Sequence, residues 1–111
     1  ADHVVITLPG TEQTHHLVDG DLIAAMKDGV TIVNVGRGSV IDESALVAAL
    51  RSGHVASAAL DVFEAEPRVP EALRSSPRVV LTPHVAGMTS DAALRVALMT
   101  ADNILQRLNL A

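Results

Sequence analysis

The sequence has 111 residues, 49% apolar and 19% charged, with a formal net charge of −5. One domain, or part of a larger one, is the expectation for that length. The composition argues against disorder, and the scattered Lys and Arg argue against a nucleic-acid surface, which needs clustered cations. The absence of cysteine excludes disulfides and thiolate zinc sites and fits a cytoplasmic setting. No apolar run reaches membrane-spanning length, and the opening "ADHVVITLPG" has neither a signal-peptide pattern nor a starting Met. A piece of a longer chain is therefore expected. Phe63 is the single aromatic residue, so the core must be aliphatic and stacking on rings is not a binding device here.

In chain order, "HVVIT" (3–7) reads as a strand buried on both faces and stopped by Leu8-Pro9-Gly10. "GTEQTHH" (10–16) reads as a loop. Asp19 caps a short helix from about Asp21 to Lys27, ended by Gly29. "VTIVNV" (30–35) is a second buried strand. Asp42 caps "ESALVAALRSG", with Leu46, Val47 and Leu50 on one face and Gly53 past its end. "VASAALDVF" (55–63) is a third strand, whose small residues predict a helix packed close above it. The proline-containing stretch 64–78 is a loop with one short helical turn. "VVLTP" (79–83) is the fourth strand, and Thr89 or Ser90 caps a final helix over about 91–109. Apolar strands alternating with helices predict an α/β fold: a parallel sheet of about four strands, helices on both faces and right-handed crossovers.

In such sheets ligands bind beyond the carboxyl ends of the strands. There the polar surprises stand: Arg37 between Gly36 and Gly38, Asp61 with Glu66 soon after, and His84 after Pro83. Arg37 offers a planar guanidinium fork suited to a carboxylate, and its flanking glycines would let another molecule approach closely. Its other reading is a solvated turn residue paired with Asp42 or Glu43. His84 suits a general acid if a carboxylate supports it, and Glu66 is that carboxylate; their other readings are a structural hydrogen-bonder and a solvated acid in "EAEP". Asp61 would either bond a ligand amide or cap a backbone N–H. His3, His15, His16 and His54 read as surface residues. His15-His16 is set aside as a metal site because no third ligand stands at useful spacing. No nucleophile elbow surrounds Ser39, so a serine hydrolase is not supported. Together, Arg37, His84 and Glu66 suit reduction of a 2-keto acid, with hydride supplied by a cofactor.

The stretches "LPGTEQT", "MKDGVTIVNVGRGSVIDESALVAAL", "GHVASAALDVFEAEP" and "VVLTPHVAG" resemble, in order and spacing, the nucleotide-binding domain of the D-isomer-specific 2-hydroxyacid dehydrogenases. The resemblance spans essentially the whole chain. It implies a Rossmann-like half-domain, with Arg37 as the substrate-binding catalytic arginine, His84 as the proton donor and Glu66 as its partner. Leu8 and Pro9 would underlie the adenosine. Val35, Gly36 and Arg37 would be cofactor contacts, Asp61 would face the nicotinamide, and His84, Ala86 and Gly87 would line its ribose and ring. The implied cofactor is NAD or NADP, the substrate a small 2-keto or 2-hydroxy acid, and the full-length protein a homodimer. "EAEPRVPEAL" leans towards the glyoxylate/hydroxypyruvate reductases.

The family's glycine-rich turn, the residue that chooses between NAD and NADP, and the substrate domain have no counterpart in these residues. Residues 1–111 therefore read as the second half of the dinucleotide domain, with the helix over 91–109 leading back towards the substrate domain. The isolated chain is expected to be inactive. The alternative function is a non-catalytic, dinucleotide-sensing module or corepressor of the same fold.

Overall fold

The computed structural model describes residues 1–108. Four strands, β1 (His3–Ile6), β2 (Val30–Asn34), β3 (Val55–Leu60) and β4 (Val79–Leu81), pair in parallel in chain order. Between them lie α1 (Gly20–Ala25), α2 (Glu43–Ser52) and α3 (Glu71–Arg74), and α4 (Ser90–Arg107) follows β4. A single 3-10 turn, Gly38–Val40, joins the end of β2 to α2.

The local signals act as their chemistry requires. Asp19 accepts from Leu22 N–H at 2.8 Å and starts α1. Asp42 accepts from Ser44 and Ala45 N–H at 2.9 and 3.1 Å and starts α2. Gly53 ends α2 with φ 88°, the left-handed conformation that a side chain resists. Thr89 caps α4 through Ala92 N–H at 3.1 Å. Each strand pairs over a shorter span than its apolar run, and residue 109, expected in the last helix, lies outside the described residues.

The parallel α/β architecture is as expected, but among the described residues the helices cover only one face. The register sets Val5, Val33, Ala59 and Val80 in one row, and Val4, Ile32, Ala58 and Val79 in the next. Ile32 and Ala58 are 0% and 3% exposed, whereas Val5 and Val80 are 60% and 64% exposed. Ile23 of α1, Leu46 and Leu50 of α2 and Leu73 of α3 join the buried row in one aliphatic core. The reason is topological: parallel strands laid in chain order, joined by crossovers of one hand, put their connections on one side. Val5 lies on the uncovered face, so the expected burial of β1 on both faces does not hold among the described residues. The sequence pattern registers that both faces are apolar, not which one is covered within this stretch.

Candidate active site at the carboxyl ends of the strands

The rim begins where β2 ends. Asn34 is 1% exposed and folds the chain locally. Its Oδ1 accepts from Gly36 N–H and its Nδ2 donates to Arg37 C=O, both at 3.0 Å. This closed loop of bonds gives both polar atoms of the buried amide a partner and turns Arg37 outwards. The Arg37 Nη1 donates to the neighbouring Gly36 C=O at 2.7 Å. Arg37 makes no ion pair among the described residues; Asp42 is occupied by the α2 cap and Glu43 by Glu64 N–H at 2.8 Å. The solvated-pair reading of Arg37 is thus not realised.

The flanking glycines are required by the chain's own packing. A Cβ on Gly36 would stand 2.5 Å from Leu8 C=O, and one on Gly38 would stand 1.9 Å from the Phe63 carbonyl carbon. Both are buried, so the expectation that they open room for another molecule is corrected: the space they leave is filled by the backbones after β1 and β3.

The second half of the rim carries the imidazole. His84 Nδ1 lies 3.0 Å from Glu66 Oε2, while Glu66 Oε1 accepts from Phe63 N–H at 2.9 Å. Both Glu66 oxygens are therefore fixed. The His84 bond first, then the Phe63 bond, hold the Glu66 carboxyl below the usual glutamate range, with a smaller contribution from the nearby Arg37 charge. The guanidinium, the carboxylate and the imidazole thus share one edge of the sheet, with His84 exposed. His84 has φ 57°, a conformation costly for a side chain and kept only where its surroundings over-determine it.

Asp61 supplies that constraint. It is 4% exposed. Its Oδ1 accepts from Thr82 Oγ1 at 2.5 Å and from Val85 N–H at 2.9 Å, and its Oδ2 accepts from Ala86 N–H at 2.9 Å. Burial works to raise its pKa, but these bonds outweigh burial and leave the carboxyl below the ordinary aspartate range. Of the two uses open in the sequence, the backbone cap is formed: the carboxylate holds the 82–86 loop.

Leu8 and Val35 are 39% and 40% exposed at the ends of β1 and β2. Pro9, Ala86 and Gly87 are also exposed, and a Cβ on Gly87 would meet nothing within 4 Å. These residues leave open, mostly apolar surface on both sides of Arg37 and His84.

Three contributors were not singled out from the sequence. Asn34 was legible in principle, as a polar residue closing an apolar strand. Glu43, 8% exposed, entered the sequence reading only as an alternative partner of Arg37; burial pushes its pKa up while it holds the Glu64 N–H. Glu64 bonds His16 Nε2 through Oε1 at 2.6 Å from 48 residues away, so the adjacent histidines do have a third donor beside them.

The family model for "D-isomer specific 2-hydroxyacid dehydrogenase, NAD binding domain" matches residues 1–86. The D-3-phosphoglycerate dehydrogenase of Bacillus subtilis is 45% identical over 96% of this chain and 20% of its own length. Glyoxylate/hydroxypyruvate reductase B of Citrobacter koseri is 45% identical over 97% of this chain and 34% of its own. Among solved structures, the NADPH-dependent glyoxylate/hydroxypyruvate reductase of Sinorhizobium meliloti, in complex with NADP and malonate, superposes with a TM-score of 0.78 at 48% identity, over 82% of this chain and 28% of that one. The chain therefore spans about a third or less of the length of these proteins. A parallel sheet whose strand ends carry these motifs, matched over most of its length by one family model, places this chain in the D-isomer specific 2-hydroxyacid dehydrogenase family, within its NAD-binding domain.

Proposed function

We propose that the full-length protein carrying this chain is an NAD(P)-dependent D-2-hydroxyacid dehydrogenase that reduces a small 2-keto acid of the glyoxylate or hydroxypyruvate kind. The observation that carries the reading is the Glu66–His84 pair at 3.0 Å on the same rim as Arg37, which has no ion-pair partner among the described residues. The exposed aliphatic side chains of Leu8 and Val35, and the open surface at Ala86 and Gly87, fit the flat faces of a dinucleotide. Leu8 and Pro9 would hold its adenosine end, and Val35, Ala86 and Gly87 its nicotinamide end. When bound, the nicotinamide supplies the hydride.

The chain's own residues do the rest. Arg37 pairs with the substrate carboxylate through its fork and draws electron density towards the carbonyl oxygen. His84 Nε2 gives the proton to that oxygen as the alkoxide develops. Glu66 holds Nδ1 and so fixes which ring nitrogen faces the substrate. Asn34 and Asp61 are positioning residues, acting through the loops that carry Arg37 and His84. The protein is further proposed to work as a cytoplasmic homodimer that binds neither membrane nor nucleic acid.

The decisive experiment is turnover of the full-length protein with NADH or NADPH and glyoxylate. Arg37→Ala should lower kcat/KM by about 100-fold or more, as removing one preorganised donor does. Unchanged turnover would overturn the assignment of Arg37. The 111-residue chain alone should neither turn over nor bind nicotinamide cofactor; saturable binding in calorimetry would contradict that expectation.

A further inference from the structure

We propose that His15, His16 and Glu64 form a binding site for one divalent transition-metal ion of the zinc class. One donor atom from each lies within 4.8 Å of the other two. None of the three belongs to the Arg37–Glu66–His84 set, so the inference stands apart from the dehydrogenase reading.

The backbone builds the site. Neighbouring residues of an extended chain point their side chains to opposite sides. His16 instead has φ 49°, and the rings of His15 and His16 stack with centroids 4.0 Å apart. The left-handed turn brings two adjacent imidazoles to one side. This conformation is unfavourable for a non-glycine residue and is kept by its surroundings. His16 N–H donates to Ser39 C=O at 2.8 Å, Leu17 N–H to Thr14 C=O at 3.2 Å and Val18 N–H to Val40 C=O at 2.9 Å. The facing donor is equally anchored: Glu64 N–H is held by the buried Glu43 carboxylate at 2.8 Å. Both ligand-bearing segments are thus fixed to the folded body independently of any ion.

The donor chemistry is that of zinc or cobalt: imidazole nitrogen and carboxylate oxygen, with metal–ligand distances of about 2.0–2.2 Å. A tetrahedral ion with such bonds holds its donors roughly 3.3 Å apart. The His16–Glu64 contact of 2.6 Å would open slightly and His15 would close, both by side-chain rotation. The depression lined by Gly10, Thr11, Glu12, His15 and Ser39 is open to solvent beside His15, leaving room for water as the remaining ligand. The competing account is a plain His16–Glu64 ion pair with a stacked bystander.

Titration of Zn²⁺ into the full-length protein without cofactor, followed by calorimetry, tests the site; the visible spectrum with Co²⁺ reports its coordination. One saturable equivalent is expected. His15→Ala and Glu64→Gln should each weaken binding at least about tenfold, since even outer-shell losses reach that size. Neither variant should unfold the protein, because His15 is exposed and Glu64 is anchored through its backbone. His84→Gln should leave binding unchanged. Absence of saturable binding, retention of full affinity in both His15→Ala and Glu64→Gln, or loss of binding in His84→Gln would each overturn the proposal.

Discussion

Helices α2 and α4 carry similarly amphipathic sequences and begin with a side-chain cap, at Asp42 and Thr89. Yet α2 buries Leu46 and Leu50 against the sheet, whereas α4 buries no residue and exposes Leu94, Leu98, Ile104 and Leu105. An apolar stripe and a cap state that a helix will form and which side wants cover. They do not supply the cover. For α2 it is β3, formed by the residues that follow within this stretch; for α4 nothing among the described residues provides it. Most helical stability comes from such packing rather than from propensity, so the two regions should respond to mutation very differently.

The sharpest contrast is Leu46→Ala against Leu98→Ala. The first should cost about 2–5 kcal/mol, by loss of burial plus a cavity. The second should stay within about 0.5 kcal/mol in this chain. Urea denaturation of the two variants checks it, and an equal loss would mean that α4 is packed in solution. Next comes Gly38→Ala against Gly87→Ala. The added methyl meets the Phe63 backbone at Gly38 but open space at Gly87. Roughly 1–3 kcal/mol or more is expected at Gly38, as for other overpacked sites, and little at Gly87. Thermal melting separates the two.

Smaller still are the caps. Asp42→Ala should cost about 0.5–2 kcal/mol of global stability. Thr89→Ala should fray α4, seen as lost helical circular dichroism, without moving the global midpoint. Finally, the hydrogen-bonded carboxylates should give opposite pH dependences. Asp61 and Glu66 are depressed in the folded chain. Their stabilisation is present above their unfolded values, about 3.9 and 4.3, and is lost as pH falls through the folded values. Glu43 is raised by burial, so its contribution is present at low pH and lost as pH rises through its folded value. Acid unfolding should therefore flatten in Asp61→Asn, while Glu43→Gln should remove a loss of stability on the neutral side; matching slopes in both variants would contradict these assignments.

The same contrast explains what could be read in advance. Caps at Asp19, Asp42 and Thr89, the stop at Gly53 and the succession of strands and helices along the chain are local or nearly so, and each was legible. Arg37, Glu66 and His84 were legible as polar residues at the ends of apolar strands. The use of Gly36 and Gly38 was not, because it depends on the Leu8 and Phe63 backbones arriving from other strands. Asp61 was legible as a cap on a backbone N–H, but its partners Val85 and Ala86 were not, nor was Glu64 beside His16.

The sequence by itself determined the elements, their alternation and the parallel class, since these follow from periodicity, capping and the steric demands of glycine. Tertiary structure alone decided which sheet face is covered, which glycines are sterically obligatory, and how buried carboxylates tie distant loops together. Those outcomes depend on groups far apart in the chain meeting within hydrogen-bond or van der Waals distance, and no local pattern records that meeting.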